Sequence, residues 1–281
     1  MRLGLTLIAM ISVGCGIDTA APDPGDDGTG TPGGNPTGDP GPGDPGEGTG
    51  PVTEVSGKIA ADTTWSNTIH ATALVTVNAG VTLTVAAGTT VDFIGGLTVQ
   101  GTLVLQGTRD SKVVFRPAGS SGFAVSVPQG GAMTASYLVQ TGGSLGISGT
   151  GKVTLVDTQL SNASGDLLVM SGGTLDMTYS AIGLEPGDKD TTHCDMHVSG
   201  PVSISAEHSN FATAAYGLML YSASLADFQH TNWFGNAIDV AISPPVAANF
   251  SYSYFAKGAP SQGGLTVDNM ATMRLPDAGV R

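Results

Sequence analysis

The chain has 281 residues, 42 of them glycine, and sets 23 acidic against 10 basic side chains for a formal net charge of -13. Ten Lys and Arg spread over that length form no patch that could neutralise a phosphate backbone, so a nucleic-acid partner is excluded. With 12% charged and 6% aromatic residues, the composition suits a turn-rich β protein rather than a helical one.

Residues 1–14 read as an export signal. Met1 and Arg2 form a basic start, and Leu3 to Val13 is an apolar run too short to cross a bilayer as a stable helix. The segment Ser12-Val13-Gly14-Cys15 resembles the lipobox of bacterial lipoproteins, where cleavage leaves a lipid-bearing cysteine as the first mature residue; Ser12 departs from the usual Leu. The resemblance implies lipid attachment at Cys15 and a membrane as first partner, since each buried CH2 of several acyl chains adds about 0.8 kcal/mol. Gly16, where inner-membrane retention is associated with Asp, implies the outer membrane, with the protein at the cell surface or on the periplasmic face.

A linker follows the lipidated Cys, over 15–52. From Gly16 to Pro51 the chain is almost entirely Gly, Pro, Asp and Thr, a composition with nothing to bury in a core. As a flexible coil its 36 residues would average on the order of 30–35 Å end to end, and as polyproline II they could reach about 110 Å. It reads as a disordered tether. A Gly-X-Y period is absent, which excludes collagen.

Between Thr53 and Pro117 the residues alternate, as in Val81-Thr82-Leu83-Thr84-Val85, Leu97-Thr98-Val99 and Val113-Val114-Phe115, with Gly-containing breaks between the runs. Such runs are short strands joined by tight turns. The segment Gly57-Lys58-Ile59-Ala60-Ala61-Asp62-Thr63-Thr64-Trp65, with Val81 to Val91 and Leu97 to Thr108 after it, resembles the opening coils of bacterial right-handed parallel β-helix repeat proteins. The resemblance covers roughly Val55 to Gly258. It implies an all-β, right-handed, single-stranded parallel β-helix, a solenoid over 53–262, followed by a capping strand and tail over 263–281. Surface proteins and polysaccharide-degrading enzymes of the pectate lyase-like architecture share such coils, so fold is implied and activity is not. Open ends need covering; Val55 to Trp65 is the expected first cap and Leu265 to Arg281 the last.

The later coils carry a repeat of their own. Leu138, Leu160, Ile182, Phe211, Trp233 and Phe255 follow one another at intervals of 22, 22, 29, 22 and 22 residues. Two positions before each stands Ser136, Thr158, Ser180, Ser209, Thr231 or Ser253, and five before each stands Met133, Leu155, Met177, Ala206, Phe228 or Phe250. A fixed period of about 22 residues is a solenoid signature. The ladder and the column five before it are expected to face the core, and the hydroxyl column to sit at a bend where it bonds to backbone.

One interval is seven residues longer than the rest. Its excess falls in Gly183 to Cys194, and insertions in solenoids become loops on one face, often the binding face. Glu185, Asp188, Asp190 and Asp195 could offer oxygens to Ca2+, but EF-hand spacing is absent and a solvated acidic loop is expected. Alternation puts His193, Asp195 and His197 on an outward face and Cys194 with Met196 inward. Residues two apart on one strand lie nearly 7 Å apart, which is awkward for three ligands of one ion, so no metal or cofactor is assigned. Asp157, Asp166 and Asp176 are carboxylates available for glycoside chemistry, and Lys152, Lys189 and Lys257 are the basic residues a lyase would draw on.

Three positions before the ladder lies a further column, Asp157, Tyr179, His208, His230 and Tyr252. Facing outward it would offer a strip to sugars or a protein, although stacked side chains also stabilise parallel coils without any ligand. Asn210 and Asn232 invite the same explanation. The expected function is a membrane-tethered rod with a structural or binding role, its partner a polysaccharide or a cell-envelope protein; a carbohydrate-active enzyme is the alternative.

Overall fold

Alternation broken every few residues by a bend gives each coil three short strands and three corners. The computed structural model describes residues 51–188, 190–222, 225–243, 246–261 and 264–281, all within the compact unit Glu47–Arg281. The signal, Cys15, most of the linker and Lys189 lie outside the described residues. Among the described residues there are 27 strands and no helix.

The first face is a sheet of ten strands, one per coil, from Thr63–Trp65 to Leu265–Thr266. Ten strands at about 4.8 Å spacing make a rod of about 43 Å. The second and third faces join in one 17-stranded sheet, because Thr68–Val77 runs across both. Neighbouring coils pair in parallel, as in Thr174–Thr178 against Lys152–Val156 and Gly143–Ile147 against Phe123–Val127. The expected all-β parallel solenoid is therefore the observed fold.

Register along the second face corrects the ladder at its first rung. Val113 pairs with Leu138, whereas Gln140 pairs with both Phe115 and Leu160. The continuous inward column is Ile69, Val91, Phe115, Gln140, Leu160, Ile182, Phe211, Trp233 and Phe255. On the first face Leu155 likewise pairs with Ala135 and not with Met133, while Leu155, Met177 and Ala206 follow as expected. A slip of two residues preserves the inward and outward sets, so Leu138 and Met133 are buried all the same. Gln140 is fully buried in this apolar column; its amide donates to the Gly143 carbonyl at 3.0 Å, and its Oε1 has no partner.

The hydroxyl column behaves as expected from Thr158 onward. Each hydroxyl folds back on backbone, as in Ser180 to Thr178 O at 2.9 Å and Ser209 to Glu207 O at 2.8 Å. Three of them also accept the amide one coil before, Thr158 N to Ser180 Oγ at 3.1 Å, Ser180 N to Ser209 Oγ at 3.2 Å and Thr231 N to Ser253 Oγ at 3.0 Å. Corner amides that the sheets cannot pair are satisfied this way. Ser136 stands outside the column, since it pairs with Val156.

Immediately before each hydroxyl the backbone takes the left-handed conformation: Asp157, Tyr179, His208, His230 and Tyr252 have φ of 50, 49, 47, 53 and 61°. Each such residue costs roughly 1–2 kcal/mol if it is not glycine. From Tyr179 to Tyr252 the rings help to offset that cost by stacking on one another from coil to coil.

The last segment turns back along this corner. Tyr252 N donates to Asp268 O at 2.9 Å; Asn232 grips Leu275 through Nδ2 to its carbonyl at 3.0 Å and Oδ1 from its amide at 2.8 Å; Gly279 N donates to His208 O at 2.8 Å. Arg281 closes the strap on Asp157, with its amide, Nε and Nη2 at 3.1, 3.0 and 2.9 Å from the carboxylate. Residues 268–281 thus retrace the corner from the last coils to the coil of Asp157.

Candidate functional site

The insertion re-aims the strand that follows it. His193 N donates to Gly165 O at 2.9 Å, which sets Cys194 beside Asp166 of the previous coil. From there His193 Nδ1 lies 2.9 Å from Asp166 Oδ1, and His197 Nδ1 lies 2.8 Å from Asp166 Oδ2. One carboxylate therefore holds two imidazoles. In the neutral ring, an Nδ1–H that donates to the carboxylate leaves Nε2 as an acceptor. Tyr216 flanks His193 and Tyr221 flanks His197, both at 5.4 Å between ring centres. Beside Asp166 opens a cleft of about 370 Å³, lined by Ser144, Ser164, Phe123 and four glycines.

This corrects the expected His193-Asp195-His197 row. Asp195 is not between the histidines and not solvated; it is fully buried in the corner under the insertion. Asp166 takes its place, from the neighbouring coil. Cys194 is buried as expected, its thiol donating to Met196 O at 3.0 Å. Burial, and then the charges of Asp166 and Asp195, push that thiol up to about 12, so it is no nucleophile.

The insertion is only partly a solvated acidic loop. Glu185 makes a two-armed pair with Arg274 of the strap at 2.9 and 2.8 Å, and Asp188 is exposed in a turn closed by its amide on Glu185 O. Asp190 is instead drawn in, accepting from Asn162 N at 3.2 Å, Thr192 N at 2.8 Å and the Thr192 hydroxyl. Among the described residues no three His, Cys, Asp or Glu side chains come together in a way that could hold a metal ion.

The ring column lies at the corner between the first and second faces. Tyr179–His208, His208–His230 and His230–Tyr252 stack at 5.1, 5.2 and 5.1 Å with planes within 15°. The Arg281 guanidinium lies 3.7 Å over Tyr179, adding a fifth flat group. Because the rings face one another, the inner faces of the stack are covered and its edges turn outward, while Tyr252 at its end stays exposed. Asp277 of the strap stands 3.2 Å from His208. Burial raises the Asp157 carboxyl, but the hydrogen bonds and charge of Arg281 outweigh that and hold it below the usual carboxylate range. Asn232 and Asn210 form the expected amide pair at 2.9 Å, with Asn232 also engaged by the strap.

The remaining candidates do not converge. Asp157 is buried at a corner, Asp176 is exposed on the first face and Asp166 sits on the third, so these three form no carboxylate pair. Lys152 lies on the first face, and Lys257 Nζ is held by the carbonyls of Asn236 and Ala237 at 2.6 and 2.8 Å. Sequence reasoning missed Tyr216 and Tyr221 as neighbours of the histidines; their positions 22 or more residues on, one coil away, were the available signal. Comparison with protein-family models, with curated proteins and with solved structures found no match in any of the three.

Proposed function

We propose that the chain is an exported lipoprotein, anchored in the outer membrane through Cys15 and held off it by the 16–51 tether, whose solenoid binds a polysaccharide without transforming it. The cleft at Asp166 carries this reading. It is open, lined by serines and glycines, and bordered by a carboxylate whose two oxygens are held by His193 and His197, with Tyr216 beside them. Sugars are bound by such mixtures of hydroxyl, carboxylate and ring. The two imidazoles orient Asp166 and present further acceptors to sugar hydroxyls.

A second reading rests on the same contact. An imidazole positioned by a carboxylate is able to take a proton, as a carbohydrate-active enzyme of the pectate lyase-like architecture would require. Calorimetric titration of the soluble domain with neutral and acidic oligosaccharides separates the two. The binding reading expects heat of binding without product, weakened at least about tenfold by Tyr216→Ala or Asp166→Asn; accumulation of shortened or unsaturated products would sink it. For the anchor, Cys15→Ser is expected to move the protein from the membrane to the soluble fraction, and continued membrane fractionation places the anchor elsewhere.

A further inference from the structure

Six buried side-chain oxygen or nitrogen atoms among the described residues lack a hydrogen-bond partner, and four belong to one corner: both oxygens of Asp195, Asp190 Oδ2 and Asp239 Oδ2. Asp195 is fully buried. Its Oδ1 lies 3.1 Å from where a side chain on Gly183 would begin, under the insertion that covers the corner between the second and third faces. An ionised carboxylate without partners in such a place is costly and relieves the cost by taking a proton.

The charges facing it increase that cost. Asp190 approaches from the insertion and Asp239 from the strand Ile238–Ile242, both acidic. Lys257 acts on Asp239, and its Nζ is spent on the carbonyls of Asn236 and Ala237. Glu185 is neutralised by Arg274, and His193 and His197 turn to Asp166 instead. Among the described residues only the Ala212 backbone amide favours charge at Asp195, and it does so without meeting hydrogen-bond geometry to either oxygen. Burial first, then Asp190 and Asp239, hold its carboxyl well above the usual range; burial raises Asp239 as well.

What holds the insertion down is a handful of contacts at its edges. Leu184 N and O both bond to the Thr213 hydroxyl, at 2.9 and 2.8 Å, Arg274 reaches Glu185 from the strap, and at the far end Asn162 N donates to Asp190, Thr191 Oγ1 to Ala163 O and His193 N to Gly165 O. We propose that Asp195 is a proton-operated latch: the described residues of the insertion, 184–188 and 190–193, lie closed on the solenoid while Asp195 carries its proton, and lift when the proton leaves. Because His193 ends the insertion, lifting also withdraws one imidazole from Asp166 at the border of the cleft. The sign follows from the raised carboxyl: stability is full at acid pH and declines as pH rises through the folded-state value.

The test is amide exchange across 184–193, with the thermal midpoint, between about pH 5 and pH 9. In wild type the insertion amides are expected to exchange about tenfold faster at the alkaline end than opening-independent chemistry explains, and the midpoint to fall. Asp195→Asn, neutral and of the same shape, is expected to keep the insertion protected throughout. An unchanged pH response in Asp195→Asn, or none in wild type, overturns the latch. Should the variant not fold, the Asp195 carboxyl carbon is titrated in wild type by NMR, and a midpoint in the ordinary carboxylate range overturns it as well. So does closure of the wild-type insertion at alkaline pH by millimolar Ca2+, which would make a cation the neutralising group.

Discussion

In the coils up to Pro117 the interior is mostly Val, Leu and Ile, with Trp65 in the first coil and Phe93 between Phe115 and the Phe123 that follows. Between Phe211 and Phe255 it is a block of rings: Phe211–Trp233 at 4.2 Å, Trp233–Phe255 at 5.6 Å and Phe228–Phe250 at 5.2 Å, each pair within 7° of parallel. On the first and second faces the strands shorten toward the end: Thr102–Gln106 and Val113–Pro117 have five residues, whereas Ala248–Asn249, Tyr254–Phe255 and Leu265–Thr266 have two; the third face keeps five in Ile238–Ile242. As backbone pairing shortens, side-chain columns take over the work of holding coils together: stacked rings inside, hydroxyls and amides at the corners, and the strap outside. A solenoid can exchange one kind of cohesion for another along its length without changing its cross-section.

The largest test of that contrast is Trp233→Ala, which removes the centre of the ring block and is expected to cost about 3–5 kcal/mol in urea unfolding. A smaller loss than for Leu103→Ala in the aliphatic half would break the comparison. Thr231→Val comes next. It strands the Trp233 indole N–H, now 2.8 Å from the Thr231 hydroxyl, and the expected loss is about 1–3 kcal/mol. Gln140→Leu should have the opposite sign, a gain of up to about 1 kcal/mol, because an orphaned oxygen leaves the apolar column between Phe115 and Leu160. The smallest global effect is expected for Arg281→Ala, seen as faster exchange at Gly279 and Leu275 with the coils before Pro117 unaffected. Acid should mimic it: the Asp157 carboxyl is depressed, so its contribution is present above the ordinary carboxylate value and lost as pH falls through the folded-state value. Strap exchange that stays slow in acid would mean that Asp157 is not its fastening.

Much of the fold was legible because period and alternation are imposed by stacking itself. Phe211, Trp233 and Phe255 repeat at 22 residues because each takes the same inward rung of successive coils. The slip at Leu138 was illegible for the same reason: two registers differing by two residues bury the same side chains, and only backbone pairing separates them. The site was less readable. Asp195 sits by alternation with His193 and His197, yet the insertion roofs its corner and reverses its environment. Asp166 belongs to the histidines across a coil boundary, and a single sequence with one irregular interval does not say which neighbours the longer coil brings opposite. The ring column was visible as residue types, but its left-handed corners, and the strap laid over them, were not.

The strap also bears on the order of folding. Hydroxyl-ladder contacts join residues mostly 22 apart, so coils can add one at a time to a nucleus formed anywhere along the rod. Strap contacts join residues 43, 89 and 124 apart, and the loops they close exist only once several coils are stacked. Docking of 268–281 is therefore a late event, absent from the transition state for stacking. Contacts made after the barrier slow unfolding and leave the folding rate nearly untouched, so the strap lengthens the lifetime of the finished rod rather than hastening its assembly.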